Sequence, residues 1–160
     1  MIILGIDPGL ASTGYGIIKI TKKLRHIGHG VISTDPRETV GKRLKDINQQ
    51  VKELINNYKP NILAVEKLYF FKNQKTAVSV SEAKGVILLT ASKKKIPVIE
   101  FTPLQVKLAT VGYGRASKGQ IQKMVKKILN LKKIPTPDDA ADGLAIALCC
   151  TRSLKNGESL

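Results

Sequence analysis

The stretch IILGIDPG, residues 2–9, decides how this chain folds. Its first five residues are apolar or glycine, and the branched side chains among them predict a strand that is buried on both faces. Asp7 follows that strand directly, and Pro8 and Gly9 end it with a turn. A carboxylate at the C-terminal end of a buried strand is typical of a ligand-binding position in an α/β sheet. On local sequence alone, an ordinary turn residue is an equally good interpretation of Asp7.

The rest of the chain predicts one layered α/β domain with a mixed sheet, followed by a polar tail at residues 153–160. Residues 15–20 and 27–32 follow as strands, and the glycines around them are expected where backbones approach closely. A helix is then predicted up to residue 58, with Asp35 as its N-cap. Two further strands are predicted at residues 62–65 and 97–101. Three further helices are predicted, one between these strands at residues 79–90 and two after them at residues 117–129 and 136–148. Residues 1–152 form the single predicted domain.

Basic residues far outnumber acidic ones. The chain has 27 Lys and Arg against 12 Asp and Glu, a formal net charge of +15. Such a charge attracts a polyanion, so nucleic acid is the leading class of partner, although a solvated lysine-rich surface gives the same composition. No apolar run is long enough to span a bilayer, and the N-terminus does not resemble a signal peptide. We therefore expect a cytoplasmic protein that does not associate with membranes.

Four acidic residues stand at the ends of predicted elements. Asp7 and Glu66 each follow a buried strand, and parallel neighbouring strands would bring both to one edge of the sheet. Asp139 and Asp142 are three residues apart and share one helical face. Structural alternatives exist: a solvent-facing strand end for Glu66, and a helix-capping role for Asp139. Asp142 has the weakest structural explanation, because it lies beyond the first helical turn.

If these four acids lie close together in the folded chain, they predict a metal site. Like charges in one place repel each other, and a divalent cation removes the repulsion. Carboxylate oxygens favour Mg²⁺ or Mn²⁺ over zinc, and Mg²⁺ takes only one or two protein carboxylates per ion. Four carboxylates therefore suit two ions per subunit, about 4 Å apart, which is the arrangement for two-metal phosphodiester hydrolysis. One ion would activate the attacking water, and the other would stabilise the leaving 3′-oxygen.

Three separated parts of the chain match one known pattern. They are ILGIDPG at residues 3–9 with TGYG at 13–16, then Glu66 after a buried strand, then DAADGLAIA at residues 139–147. Together they resemble the RuvC family of Holliday junction resolvases, from residue 1 to about residue 150. The first part alone is weak, because sugar kinases and chaperone ATPases begin similarly. The joint match is specific.

The resemblance implies a fold and an activity. The fold is ribonuclease H-like, with a central mixed five-stranded sheet flanked by helices. The activity is Mg²⁺-dependent, structure-selective cleavage of four-way DNA junctions in recombination and repair. It nicks two strands of like polarity and leaves 5′-phosphate and 3′-hydroxyl ends. A homodimer is implied, together with a branch-migration motor complex of the RuvA and RuvB type. Residues 78–91 are the candidate dimer helix.

The resemblance also implies residue roles. Asp7, Glu66, Asp139 and Asp142 fall on the family's catalytic, metal-binding acids. Tyr69 falls where the family often has a phenylalanine that stacks on junction bases, within an aromatic run interleaved with lysines. Which ring of that run stacks, or whether the run belongs to the core, stays open. The predicted DNA-binding residues are Tyr69, Phe70, Lys72, Lys107, Arg115 and Lys118.

Other functions remain open on sequence alone. A ribonuclease H-like nuclease that processes RNA would use the same acids. A non-catalytic junction-binding protein would keep the basic surface and use the acids structurally. A phosphotransferase with residues 5–9 as its phosphate loop is disfavoured, because the chain lacks a second phosphate-binding segment and the length of a two-lobed fold.

Overall fold

A five-stranded mixed sheet forms the centre of the molecule, in the strand order β3-β2-β1-β4-β5. The computed structural model describes residues 1–67, 74–155 and 157, without the side chains at positions 74 and 75. The strands are β1 (Ile2–Asp7), β2 (Ser12–Ile20), β3 (Leu24–Ser33), β4 (Ile62–Glu66) and β5 (Val98–Phe101). The helices are α1 (Val40–Tyr58), α2 (Gln74–Lys93), α3 (Pro103–Val111), α4 (Lys118–Ile128) and α5 (Asp138–Lys155). Strand β1 pairs antiparallel with β2 and parallel with β4.

Helices cover both faces of this sheet, because successive strand residues point to opposite faces. On one face, Leu4 and Ile6 of β1 pack with residues of α1 and α2. On the other, Ile3 packs with residues of α3, α4 and α5. Helix α5 is buried at every position from 140 to 151 except Asp142. The mixed five-stranded sheet flanked by helices confirms the predicted fold class. Among the described residues, no helix is both long and apolar enough to cross a membrane.

Two helix starts differ from their predictions. The N-cap of α1 is Thr39, whose hydroxyl accepts a hydrogen bond from the Lys42 backbone N–H at 3.4 Å. Asp35 is not the cap, because its carboxylate accepts from the Arg37 backbone N–H at 2.9 Å and pairs with the Arg37 guanidinium at 2.6 Å. Helix α2 starts at Gln74 rather than near residue 79, and the Ser79 hydroxyl donates to a carbonyl inside the helix.

Helix α3 was absent from the prediction. It begins with a capping box, in which the Thr102 hydroxyl accepts from the Gln105 backbone N–H at 3.1 Å. The Gln105 side chain in turn accepts from the Thr102 backbone N–H at 2.8 Å. Pro103 occupies the first turn, where its missing N–H costs nothing. This short helix places Lys107 near Glu66, close enough for its charge to act on that carboxyl.

Candidate active site

Asp7 and Glu66 lie side by side at one edge of the sheet. Strands β1 and β4 are parallel, and Ile6 stands opposite Val65 in their register. The next residue of each strand is therefore the acid. Side chains alternate between faces, so Asp7 lies on the same face as Ile3, which packs toward α5. By the same alternation, Glu66 lies on the face of β4 that carries Ile62 and Ala64, and both of these pack in the same cluster as Ile3.

Helix α5 lies directly on β1 and β2 because glycines line the contact. A Cβ placed on Gly14 would lie 1.9 Å from the Asp139 carbonyl oxygen, and one on Gly16 would lie 2.5 Å from the Leu144 nitrogen. A Cβ on Gly5 would lie 2.3 Å from another carbonyl of α5. These distances leave no room for a side chain. The close approach holds the first turns of α5 over the end of β1.

Asp7, Asp139 and Asp142 form one carboxylate cluster. Each contributes an oxygen, and these oxygens lie within 4.8 Å of one another. Glu66 lies beside this cluster. The charge of Glu66 acts on Asp7, and the charge of Asp142 acts on Glu66. Two strand ends and one helix start thus bring together the four acids that the sequence singled out.

Burial and mutual repulsion change the ionisation of these acids. Desolvation, followed by the charges of Glu66, Asp142 and Asp139, raises the pKa of Asp7 from 3.8 to about 8. Desolvation, followed by the charge of Asp142, raises the pKa of Glu66 from 4.5 to about 7. Burial also raises the pKa of Asp142. Without a bound cation, the cluster therefore holds protons at neutral pH.

Two of the predicted basic residues lie next to the acids. The Lys118 ammonium forms an ion pair with the Asp142 carboxylate at 3.1 Å. Burial lowers the pKa of Lys118, but the hydrogen bond and charge of Asp142 outweigh it and raise the pKa overall. Lys107 lies close enough to Glu66 for its charge to lower the pKa of that carboxyl, against the larger raising effects of burial and Asp142.

The other predicted DNA-binding residues lie elsewhere. Arg115 is exposed in the connection between α3 and α4. Tyr69, Phe70 and Lys72 fall outside the described residues. Asp138, the acid next to Asp139, is outside the cluster and accepts a hydrogen bond from the Gln122 side chain at 2.7 Å, although its charge adds to the raised pKa of Asp142. Asp138 therefore ties α5 to α4.

Sequence reasoning missed two residues at the site. The Ser12 hydroxyl donates a hydrogen bond to the Asp139 carboxylate. Lys84 of α2 is only 8% exposed and pairs with Glu100 of β5, and its charge also acts on Glu66. The sequence could have indicated Lys84, because it lies among the apolar residues of a predicted helix. Lysine is seldom buried without a partner, so a lysine at such a position predicts an ion pair.

The donor set suits a hard divalent cation. Carboxylate oxygens are the donors of the cluster, and such ligands favour Mg²⁺ or Mn²⁺. The nitrogen and sulfur donors of the chain lie elsewhere: His26 and His29 hydrogen bond to each other on β3, and Cys149 and Cys150 are buried in α5. The raised pKa values of the acids, caused by burial and repulsion, are also what a bound cation would reverse.

Comparison with known proteins identifies the family. The family model described as crossover junction endodeoxyribonuclease RuvC matches residues 3–150. The chain belongs to the RuvC family. A crossover junction endodeoxyribonuclease RuvC of Petrotoga mobilis is 54% identical over 160 residues, covering 98% of both chains. The family and the endonuclease class predicted from sequence are thereby confirmed.

Solved RuvC structures agree with this assignment. The Thermus thermophilus RuvC structure has a TM-score of 0.91 and 35% identity, and the match covers 98% of this chain and 97% of that one. A second Thermus thermophilus RuvC, in complex with Holliday junction substrate, has a TM-score of 0.92 and 35% identity, with 98% and 96% coverage. The ribonuclease H-like fold expected from the resemblance is confirmed.

Proposed function

We propose that this RuvC-family chain is a Mg²⁺-dependent endonuclease that resolves four-way DNA junctions by paired nicks in strands of like polarity. The observation that carries the proposal is the cluster of Asp7, Asp139 and Asp142 at the sheet edge, with Glu66 beside it. Membership of the RuvC family supports a DNA junction as the substrate, since a Thermus thermophilus relative was solved with one. The proposed setting is recombination and repair in the cytoplasm, with residues 1–152 as the nuclease domain.

The four carboxylates are proposed to hold two Mg²⁺ ions, for which Mn²⁺ can substitute. Such ions supply an activated water and stabilisation of the leaving 3′-oxygen, which leaves 5′-phosphate and 3′-hydroxyl ends. Asp7 and Glu66 approach from the sheet, and Asp139 and Asp142 approach from α5. Ligands fixed on two packed elements keep their geometry without help from loops. Ser12 positions Asp139 through its hydrogen bond to that carboxylate.

Lys107 and Lys118 are proposed to hold the phosphates of the bound strand. Both lie where their charges act on the acids, so they flank the place at which the scissile phosphate would bind. Their positive charge offsets the repulsion between an approaching phosphate and the carboxylates. Arg115 is proposed to contact the backbone further from the cut. Tyr69, Phe70 and Lys72 keep the DNA-binding role proposed from their sequence.

Helix α2 is proposed as the dimer face. Val78 and Leu89 are 68% and 52% exposed, and their spacing of eleven residues puts them on one side of the helix. Gly85 lies between them on that side, and nothing lies within 4 Å of a Cβ placed on it. Two such faces related by a two-fold axis would bury these residues against each other. A branch-migration complex of the RuvA and RuvB type is the proposed further partner.

Replacing Asp7 by Asn tests the nuclease proposal. The change keeps the size of the side chain and removes its charge, so it removes a metal ligand from the centre of the cluster. We expect cleavage of a synthetic four-way junction in Mg²⁺ to fall by at least about a hundredfold, as for the loss of an essential catalytic group. Junction binding, measured by gel shift in EDTA, should remain.

Asp138→Asn is the matched control, because Asp138 is an acid of the same helix that bonds to Gln122 instead of the cluster. It should cut like the wild type. Metal-dependent cutting of structured RNA but not of the junction would support an RNA-processing nuclease instead. Junction binding without any metal-dependent product from the wild type would overturn the nuclease assignment.

A further inference from the structure

A basic hollow lies at the opposite end of the sheet from the acids. It has a volume of about 810 Å³ and is formed by the turn between β2 and β3 together with the segment after α4. Lys22, Lys23, Arg25 and Lys132 line it, and all four are exposed. Asn130 adds a side-chain amide. Every charged residue lining the hollow is therefore a cation.

The charge of the hollow has no acidic counterpart nearby in sequence. Residues 8–34 and residues 102–137, which supply its walls, contain no Asp or Glu. None of its four cations belongs to an ion pair found in the described part of the chain. Four cations around one concavity repel each other and attract an anion. The shape and the charge together indicate a site for phosphate groups.

Helix α4 connects this hollow to the acid cluster. Its first residue, Lys118, pairs with Asp142, and its C-cap, Leu129, lines the hollow. Eleven residues of helix span about 16 Å. Strand β2 gives a second measure, because Ser12 bonds to the cluster and the turn after Ile20 lines the hollow. Its nine residues span roughly 26 Å.

The path between the two sites is also basic. Lys126 and Lys127 lie in the last turn of α4, where they offset the negative end of the helix dipole. An anion in the hollow is therefore not opposed by that helix end. A separation of about 20 Å corresponds to about six base pairs of duplex DNA, at 3.4 Å per base pair.

We propose that the hollow binds the backbone phosphates of a junction arm, about six base pairs from the scissile phosphate. This inference rests on the proposed binding of a four-way junction and adds a second contact for the same substrate. The arm would leave the acid cluster along α4 and place its backbone against Lys23 and Lys132. Contacts of this kind raise affinity without reading sequence.

The length of the arms and the salt dependence of binding test this proposal together. The double variant Lys23→Gln, Lys132→Gln removes two cations of the hollow. The matched control is Lys45→Gln, Lys52→Gln, which removes two exposed cations from α1 on the other face of the sheet. Binding is measured by fluorescence anisotropy in EDTA across a salt series. One junction has arms of about fifteen base pairs, and the other has hairpin-capped arms of about four, shorter than the distance to the hollow.

With long arms, the plot of log affinity against log salt should flatten by about two units for the hollow variant, about one per lost phosphate contact. With short arms, the hollow variant and the control should coincide. If both variants had the same slope of log affinity against log salt on the long-armed junction, the proposal would be overturned. The hollow would then be expected to bind another anion, such as an acidic protein segment. An equal loss on short arms would also overturn it, because the effect would then not depend on reach.

Cleavage separates this proposal from the nuclease assignment. Wild-type cutting of the short-armed junction in Mg²⁺ reports on the acid cluster alone. If the wild type cuts neither junction, the nuclease proposal fails, while the salt slopes still decide the role of the hollow. Both double variants replace exposed side chains, so unchanged melting temperatures confirm that the comparison is between folded proteins.

Discussion

The environment of Asp7 disfavours the ionised carboxylate that metal binding would require. Burial and three neighbouring acids raise its pKa from 3.8 to about 8. The folded chain therefore binds a proton at pH values where the unfolded chain has lost it. Stability then falls as pH rises between these two values, because ionisation is easier in the unfolded state. A bound cation reverses this penalty, which couples metal binding to stability.

Asp7→Asn should therefore stabilise the protein when metal is absent. At pH 7 the gain is up to about 4 kcal/mol, since each pKa unit corresponds to about 1.4 kcal/mol. Near pH 4 the two proteins should differ little. Urea denaturation in EDTA at several pH values measures the difference, with Asp138→Asn as a control that should follow the wild type. A stability of Asp7→Asn equal to that of the wild type at pH 7 and 8 would contradict the raised pKa of Asp7 in the folded protein.

The sequence reveals some residues of the site and hides others for physical reasons. Asp7 and Glu66 were recognisable because each follows a run of buried strand residues, a pattern local to the chain. The bond between Ser12 and Asp139 joins residues 127 positions apart, so only the packing of α5 on β2 creates it. The pairing of Lys84 with Glu100 likewise depends on how α2 meets β5.

At the scale of elements, hydrophobic periodicity located the long helices, whereas capping signals placed two helix starts wrongly and were overlooked at a third. Helix α3 has a capping box and a proline in its first turn, and both are readable in the sequence. Its nine residues show little separation of apolar and polar faces, so periodicity does not reveal it. The start of α1 was predicted with Asp35 as its cap, but Asp35 pairs with Arg37, and Thr39 caps the helix instead.

The glycines under α5 determine how closely the acids meet. A Cβ on Gly14 would overlap the Asp139 carbonyl, and neither the strand nor the buried helix can easily retreat. Gly14→Ala should therefore move the start of α5 away from β2, and with it Asp139 away from Asp7, at a cost of about 1–3 kcal/mol of stability, as expected for overpacking. Junction cleavage should fall more than tenfold, because catalytic geometry tolerates little displacement.

Gly41→Ala in α1 is the matched control, since nothing lies within 4 Å of a Cβ placed there. It should leave cleavage unchanged and raise stability slightly through its better helix propensity. Thermal melting and cleavage rates together check both variants. If Gly14→Ala kept wild-type cleavage, the close approach of α5 would not be what aligns the acids.

The molecule as a whole separates its charges. Three of its twelve acids form one partly buried cluster with Glu66 beside them, whereas residues 8–34 and 102–137 contain no acid at all. The net charge of +15 favours the approach of a polyanion such as DNA. In the proposed complex, cations beside the acids, Lys118 above all, would offset the repulsion between the carboxylates and a phosphate. Composition predicted an attraction to polyanions, whereas the position of Lys118 beside Asp142 follows from the packing of α4 against α5.

Paired cutting requires two such sites at once, and the exposed face of α2 is where the proposed dimer would form. Leu89→Glu puts two like charges opposite each other across a two-fold axis, so we expect a monomer by sedimentation at micromolar concentration. On a supercoiled plasmid with an extruded cruciform, the dimer should give linear DNA, and the monomer should give nicked circles by unpaired cuts. Val40→Glu, on an exposed apolar residue at the start of α1, should remain dimeric and give linear product. A dimeric Leu89→Glu that still gives linear DNA would move the interface away from α2.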